Sequence, residues 1–413
     1  MGSYLLLQSH PNKSNFTSLL SNKLLQEAVA KSSNFVMSPL SFRAMLSFIA
    51  LGATQQTLKQ LLQFLGLQDE SKLDSLCKKI STLTLPVKGS NVAFGVFGGP
   101  STQPPAVLLQ FTNAVWLHED FNFKSSFEGI VKATFNAESR MLNYGEEAAE
   151  IIREINSWAE SVSEGLINQL LPRDLLTYKP ALVYANALYF KGKWDRKFDS
   201  FKTQPKNFYL LNGRIVLVPF MTSDLNKVRL YGDFNSYKVL ALPYQNGEDT
   251  RRFSMYIILP KTNDGLLNLV RHLNDNPGFL NQDFQLSEVE LAEFWIPKFK
   301  FSFELEASNA MKELGLTQPF NLDNQDFKEM VVSHKGRSLY VSKMFHKAYI
   351  EVDEEGTEAT CFSDNHTFSF GYAPPQHQSA SFVADHPFIF MIREMTSKTV
   401  LLSGAVLNPL LAS

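Results

Sequence analysis

The amino-acid sequence predicts one large α+β domain that is built on mostly antiparallel sheets. Apolar residues recur at helical spacing in the first part of the chain, whereas strand-like apolar segments dominate the later part. The two kinds of pattern interleave, and we find no internal repeat. The chain has 413 residues, of which 44% are hydrophobic, so it can form a large core. We therefore assign residues 1–413 to a single domain.

The early helical segments are apolar and well delimited. In "NFTSLLSNKLLQEAVAKS" the helical spacing includes Leu20, Leu24 and Ala28. The next segment, "NFVMSPLSFRAMLSFIAL", holds an almost wholly apolar helix, with Ser38 as a natural N-cap and Pro39 in the first turn. A helix that is apolar on all sides belongs deep in the core.

Residues 87–105, "VKGSNVAFGVFGGPSTQPP", are rich in Gly, Pro and Ser. Such a stretch is either a domain linker or a surface insertion within one domain. We interpret it as a surface insertion, because helical and strand patterns interleave on both sides of it.

Strand patterns dominate after this stretch. Several strand segments are apolar nearly throughout, which is typical of central strands buried on both faces. The strand segments are "FTNAVWL", "ALVYANALYF", "NFYLLNGRIVLVPFM", "YKVLALPY", "FSMYIILP", "VELAEFWIPKFKFSF", "SLYVSKMFHKAYIEV" and "HPFIFMIREMTSKTVLLSGAVLNP". Helical patterns such as "AAEIIREINSWAESVSEGLINQLL" lie between them.

Composition limits the partners and the compartment. The net charge is 39 − 41 = −2, which gives no support to nucleic-acid binding. The only two cysteines, Cys77 and Cys361, lie far apart, so a disulfide framework is not expected and a reducing compartment fits best. No apolar run approaches about 18 residues, and no secretory signal is recognised. We expect no membrane partner and a cytoplasmic or nucleocytoplasmic monomer, with an extracellular location as the alternative.

Enzyme motifs are not found in the chain. G-x-S-x-G, H-E-x-x-H, the Walker A loop and G-x-G-x-x-G are all missing from the sequence. Asp364, His366 and Ser369 are close in sequence, but a catalytic triad needs rigid, separate elements to hold its geometry. We expect no enzyme activity, no metal site and no cofactor.

A set of motifs in a characteristic order resembles the serpin family, and plant serpins most closely. The resemblance runs from about residue 15 to residue 409. The motifs are "NFVMSPLSF", "NAVWL", "INSWAESVSEGLINQLLP", "ANALYFKGKWDRKFD", "VPFMTS", "IPKFKFSF", "VSKMFHKAYIEVDEEGTEA", "FVADHPFIFMIRE" and "GAVLNP".

The resemblance implies the serpin fold, with three β-sheets, a five-stranded sheet A and about eight or nine helices. It also implies an exposed reactive loop over about residues 354–382. In this family a target protease cleaves the loop and becomes covalently attached as an acyl-enzyme. The loop then inserts into sheet A as a new strand and distorts the protease.

The hinge of the loop has a sequence compatible with insertion. Alternate side chains of a strand point to opposite faces. The set Thr357, Ala359, Cys361, Ser363, Asn365, Thr367 and Ser369 is small or medium and uncharged, so it is expected to face the interior. The other set, Glu358, Thr360, Phe362, Asp364, His366, Phe368 and Phe370, carries the charge and the bulk and is expected to face outward. The hinge residues that the resemblance implies are Glu354, Glu355, Gly356, Thr357, Glu358, Ala359, Thr360, Cys361, Phe362 and Ser363.

The hinge also departs from the family pattern. Inhibitory members have an alanine-rich run after "EEGTE", whereas this chain has "ATCFS". Bulk at Phe362 could slow insertion, and inhibition requires insertion to outrun hydrolysis of the acyl-enzyme. Two readings therefore stay open: a protease inhibitor, which we favour, and a non-inhibitory serpin that is cleaved as a substrate or serves as a binding or storage protein.

The resemblance places the cleaved bond at about Phe370–Gly371. Phe370 would suit a chymotrypsin-like serine protease, and a papain-like cysteine protease could instead cut after Gly371. The expected partner is therefore an endopeptidase of one of these two classes.

Further positions follow from the resemblance. Ser38, Ser41, Asn186 and His346 match a polar cluster, the shutter, beneath the point where sheet A opens. Trp194, Lys298 and Glu354 match the breach at the top of the sheet, where Lys298 is expected to pair with Glu354.

Overall fold

A computed structural model describes residues 16–84, 107–142, 148–162, 165, 169–172, 180–223, 228–246, 250–357 and 380–411. Within these ranges the chain forms eight α-helices. They are α1 (Phe16–Lys31), α2 (Pro39–Leu51), α3 (Gln55–Leu65), α4 (Glu70–Thr84), α5 (Ser125–Phe135), α6 (Ala148–Val162), α7 (Leu266–Asp275) and α8 (Ala307–Glu313). The Gly/Pro-rich stretch 87–105 lies outside the described residues, so its assignment to a surface insertion stays a prediction.

The strands fill most of the chain after α4. The first ten are β1 (Phe35–Met37), β2 (Val107–His118), β3 (Phe121–Phe123), β4 (Ala137–Leu142), β5 (Leu182–Lys193), β6 (Gln204–Tyr209), β7 (Ile215–Met221), β8 (Val228–Asp233), β9 (Tyr237–Pro243) and β10 (Phe253–Pro260). The others are β11 (Ser287–Glu290), β12 (Glu293–Pro297), β13 (Phe299–Glu306), β14 (Val331–Ser333), β15 (Val341–Val352), β16 (Gly356–Thr357), β17 (Ser381–Val383), β18 (Phe388–Glu394) and β19 (Val400–Val406).

These strands form three main sheets and one small pair. A seven-stranded sheet has the order β1-β19-β18-β10-β9-β8-β11, a six-stranded sheet β13-β15-β16-β5-β2-β4, and a four-stranded sheet β17-β12-β7-β6, while β14 pairs with β3. The predicted α+β class is confirmed. The sheet that contains the hinge has five long strands, as the resemblance implied, and the two-residue β16 is its sixth.

Helix α2 lies in the core, as its sequence predicted. The Ser38 hydroxyl accepts the Ser41 backbone N–H at 3.0 Å, and Pro39 occupies the first turn. The helix ends at Leu51, because Gly52 and the extended Thr54 separate it from α3. Nearly all of its side chains are buried in the main hydrophobic cluster.

The six-stranded sheet separates two apolar layers. One face packs on the main cluster, which includes α2. On the other face, α6 covers part of the sheet in a second cluster in which Trp116 and Trp158 meet edge to face at 5.5 Å. This sheet is therefore a central layer, and a strand added to it would be covered on both faces wherever α6 lies.

The helical segment at α6 is shorter than the sequence pattern indicated. The described helix ends at Val162, and residues 169–172 are not helical. The Asn156 side chain accepts the backbone N–H groups of Leu170 and Leu171, both at 2.7 Å. This side chain therefore holds Leu170 and Leu171 against α6.

Candidate functional site

The two-residue strand β16 lies between the C-terminal ends of β15 and β5. Thr357 pairs antiparallel with Val352 of β15 and with Gly192 of β5, and Gly356 pairs with Lys193. Further down, β15 and β5 pair directly with each other in parallel, from Val341–Leu182 to Tyr349–Tyr189. Strands β15 and β5 are thus separated at one end of the sheet. The gap between them is occupied by Gly356 and Thr357, the first residues after the Glu354–Glu355 turn.

Close backbone packing requires glycine at the first position of β16. A Cβ built on Gly356 would lie 2.0 Å from the carbonyl oxygen of Gly192. Any larger residue would therefore force the two strands apart. The sequence motif "EEGTEA" contained this requirement, but only the strand pairing explains it.

Thr357 is completely buried, with 0% of its surface exposed. Its hydroxyl shares a hydrogen bond of 2.7 Å with the hydroxyl of Tyr244, and the Tyr244 ring stacks on Trp194 at 4.6 Å. Thr357 therefore points into the main core, on the face that the alternation of small residues indicated. Sequence reasoning missed Tyr244, because a tyrosine at the end of an apolar strand carries no signal of a distant partner.

Trp194 ties the turn before β16 to the end of β5. Its indole N–H donates to the Asp353 carbonyl at 2.9 Å, and its backbone N–H donates to the Glu355 carbonyl at 2.9 Å. The Asp353 carboxylate accepts the N–H groups of Glu355 and Gly356 at 2.9 and 3.1 Å. Side chain and backbone together thus define the turn that leads into β16.

Glu354 is held by two hydrogen bonds. Lys298 Nζ lies 2.6 Å from Glu354 Oε2, and the Thr203 hydroxyl donates to Oε1 at 2.7 Å. Burial alone would raise the pKa of Glu354, but the hydrogen bonds from Lys298 and Thr203 outweigh it and lower the pKa below its ordinary value. The structure thus brings Trp194, Lys298 and Glu354 to one end of the six-stranded sheet.

The polar residues of the predicted shutter meet in the closed part of the sheet. The Ser38 backbone N–H donates to His346 Nε2 at 3.0 Å, and His346 Nδ1 lies 3.1 Å from Asn186 Oδ1. This arrangement fits a neutral imidazole that accepts at Nε2 and donates from Nδ1. Burial lowers the pKa of His346 to about 3, so the ring is neutral at ordinary pH. Ser41 contributes its backbone N–H, whereas its buried hydroxyl has no hydrogen-bond partner among the described residues.

The network continues to a residue that sequence reasoning did not single out. Asn186 Nδ2 donates to Asn113 Oδ1 at 2.8 Å, and the Tyr184 hydroxyl donates to the same oxygen at 2.9 Å. Asn113 in turn donates to the Phe135 carbonyl at 2.7 Å. Three strands of the sheet and the cap of α2 are therefore joined by one buried polar chain. The polar Asn113 within the apolar segment "FTNAVWL" was the available signal.

The remaining predicted site residues lie outside the described residues. They are Glu358, Ala359, Thr360, Cys361, Phe362, Ser363, Phe370 and Gly371. Within the described ranges, no group of three or more His, Cys, Asp or Glu side chains is placed to hold a metal ion. None of the described helices is both long and apolar enough to cross a membrane.

Comparisons with known proteins agree with this geometry. A family model described as Serpin (serine protease inhibitor) matches residues 11–409. Serpin-ZX of Arabidopsis thaliana is 40% identical over 383 residues, which are 92% of this chain and 94% of the relative. Serpin-ZX of Hordeum vulgare is 39% identical over 386 residues, 94% of this chain and 93% of the relative.

Solved structures show the same fold. The structure of Arabidopsis AtSerpin1 in its native stressed conformation aligns with a TM-score of 0.80 at 37% identity, covering 98% of this chain and 100% of that one. Serpin48 of the insect Tenebrio molitor aligns with a TM-score of 0.78 at 24% identity, covering 98% and 99% of the two chains, and this likeness concerns the fold alone.

Proposed function

The chain belongs to the serpin family, and we propose that it is a suicide-type inhibitor of an endopeptidase. In the proposed reaction the protease nucleophile attacks the Phe370 carbonyl, and the amine of Gly371 leaves. An ester or thioester then joins Phe370 to the protease. The protease supplies the nucleophile and the oxyanion hole, so this chain contributes the cleaved loop sequence and the conformational change.

The observation that carries the proposal is the pairing of β16 with both of its neighbours. Thr357 lies opposite Gly192 and Val352 in antiparallel register. If the strand continued in this register, each later residue would move one step down both neighbours. Ala359 would then lie between Phe190 and Ile350, Cys361 between Leu188 and Ala348, and Ser363 between Asn186 and His346.

The inward face of such a strand would suit its surroundings. Buried Thr357 sets the alternation, so the small residues Ala359, Cys361 and Ser363 would point into the main core. Ser363 would separate the His346–Asn186 hydrogen bond, and its hydroxyl can both donate and accept. The polar chain could therefore be satisfied before and after insertion, while the new strand would gain hydrogen bonds to both neighbours.

A second candidate function is favoured by a different residue. The same register would place Asp364 between Ala185 and Phe345, which are buried in the cluster beneath α6. Part of the face predicted to be outward is therefore covered. Burying a carboxylate without a partner is costly and would slow insertion. If hydrolysis of the acyl-enzyme were faster, the chain would be a cleaved, non-inhibitory serpin.

One gel separates the two candidates. The protein is incubated with chymotrypsin and, separately, with papain, and the products are resolved under denaturing conditions. A covalent complex supports inhibition, and mass spectrometry of the released peptide locates the cleaved bond. Complete cleavage near Phe370 without a complex supports the non-inhibitory candidate. An intact loop after both treatments would contradict both.

A further inference from the structure

Two buried tyrosines face each other at the last position where β5 and β15 pair directly. The direct pairing of these parallel strands ends at Tyr189 and Tyr349. Three residues further along each strand, Thr357 of β16 lies between them. A strand that extended β16 into the sheet would therefore separate this tyrosine pair before any other direct pair of β5 and β15.

The two rings are in contact. Tyr189 and Tyr349 are 2% and 5% exposed, and their ring centroids lie 6.4 Å apart at an interplanar angle of 48°. Aromatic pairs at this distance attract each other beyond the effect of the area they bury. Neighbouring strands lie about 4.8 Å apart, so one inserted strand would double the separation of β5 and β15. Insertion would therefore break the ring contact.

Tyr349 is anchored on the side away from β5. Its hydroxyl donates to Glu351 Oε2 at 2.6 Å, and Lys300 Nζ of β13 lies 3.0 Å from the same oxygen. Lys300 Nζ also lies 5.7 Å from the centre of the Tyr349 ring. Burial, and then the bond to Glu351, raises the pKa of Tyr349, so its hydroxyl stays protonated and donates. The ring is thus fixed to β15 and β13.

Tyr189 has no such anchor. Its hydroxyl is buried and has no hydrogen-bond partner among the residues that the structure describes. A buried hydroxyl without a partner destabilises the fold. The ring of Tyr189 therefore stabilises the closed sheet by packing on Tyr349, whereas its hydroxyl does not. Two identical side chains at one paired position thus have different roles.

We propose that the tyrosine pair holds the sheet closed next to β16 and sets the rate at which the sheet opens, with Glu351 and Lys300 positioning Tyr349. Such control rests on the proposed function, because the sheet opens to admit the cleaved loop. In the register of β16, Thr360 would lie between the two tyrosines. Thr360 is one of the residues that departs from the alanine-rich family pattern, and its side chain would replace the ring contact.

The test measures opening without a protease. The full chain is incubated with a synthetic peptide of residues 357–370, and uptake of the peptide is followed by native gel electrophoresis and native mass spectrometry. We expect Tyr349→Leu and Tyr189→Leu each to take up the peptide about three- to ten-fold faster than the wild type, because each loses the ring contact. The double variant should be no faster than either single variant, because the contact can be lost only once.

Substitution by phenylalanine tests the anchor. Tyr349→Phe keeps the ring but loses the bond to Glu351, so its uptake should be about two-fold faster or more. Tyr189→Phe should keep the wild-type rate and melt at or above the wild-type temperature, because it removes a hydroxyl that has no described partner. Tyr231→Phe is the matched control. The Tyr231 hydroxyl also donates to a carboxylate two residues further on, that of Asp233 at 3.1 Å, but it lies on β8 of the seven-stranded sheet, so uptake should not change.

Three outcomes would overturn the proposal. They are additive effects of the two leucine substitutions, wild-type uptake in both Tyr349 variants, or no uptake by any of the proteins. If the leucine variants failed to fold, the difference between Tyr349→Phe and Tyr189→Phe would still decide the question. Covalent complex with chymotrypsin or papain is measured separately. The expected order of uptake rates, with no complex in any of the proteins, would support the role of the pair and contradict the proposed inhibition.

Discussion

Lys298 and Glu354 join the hinge turn to the junction of two sheets. Their side chains meet at 2.6 Å, and Lys298 lies between β12 of the four-stranded sheet and β13 of the six-stranded sheet. The Lys298 backbone N–H also donates to the Pro219 carbonyl of β7 at 2.9 Å. The turn that begins β16 is therefore anchored to both sheets through one lysine.

Reversing the charge at Glu354 should loosen the hinge. The side chain of Glu354 is only 13% exposed, so Glu354→Lys would place a second ammonium group beside that of Lys298 at a partly buried site. We expect a loss of about 2 kcal/mol and polymerisation on mild heating, as the parted sheet accepts a loop from another molecule. Size-exclusion chromatography and thermal melting measure both.

The matched control is Glu355→Lys. Glu355 pairs with Lys197 at 2.5 Å, but this pair is more exposed, at 26% and 41%. Its loss should cost below about 1 kcal/mol. The double variant Lys298→Glu/Glu354→Lys should recover part of the stability. A monomeric Glu354→Lys protein with unchanged melting would show that the hinge does not depend on this pair.

His346 should make the protein acid-sensitive. Its ordinary pKa is 6.5 and burial lowers the folded-state pKa to about 3. Between these values the unfolded chain binds a proton that the folded chain excludes, so stability falls as the pH drops from 6.5 towards 3. The midpoint of urea unfolding should fall less steeply with decreasing pH in His346→Gln than in the wild type. Loss of the hydrogen-bond network should lower the midpoint of the variant by the same amount at every pH, so the slopes are compared. Parallel pH profiles for the two proteins would contradict this assignment.

Thr357 should decide between complex formation and simple cleavage. It is fully buried beside Tyr244, and an arginine there could not enter the sheet without burying a charge. Thr357→Arg should be cleaved normally but form at least about ten-fold less covalent complex. Thr357→Ser, which keeps the hydroxyl, is the control and should resemble the wild type. Undiminished complex formation by Thr357→Arg would rule out β16 as the first inserted residues.

Asp364 should act as a brake on insertion. In the proposed register it would enter the layer beneath α6, next to Ala185 and Phe345. Asp364→Asn should therefore raise the ratio of covalent complex to cleaved product on a denaturing gel, by about three-fold or more if insertion limits trapping. Glu358→Gln is the control, because Glu358 would lie between Lys191 and Glu351, near the C-terminal ends of β5 and β15. Equal ratios in Asp364→Asn and the wild type would show that the Asp364 carboxylate does not slow insertion.

Much of the fold was predictable from local pattern. The cap at Ser38, the apolar α2 and the central β5 all followed from residue spacing, and the structure confirms them. The hydrogen-bonding roles of Tyr244, Thr203 and Asn113 did not follow, because each bond joins residues at least 70 positions apart in sequence. Nothing in a short window specifies such partners.

The sequence by itself determined that the chain is a serpin, that Gly356 belongs to the hinge and that small residues alternate along it. The tertiary structure decided what those residues would meet. Alternation assigns Asp364 to the face opposite Thr357. Whether that face is exposed to solvent depends on α6, whose apolar side chains pack over Ala185 and Phe345. Side-chain direction is a local property of the backbone, whereas burial depends on which distant element lies over it.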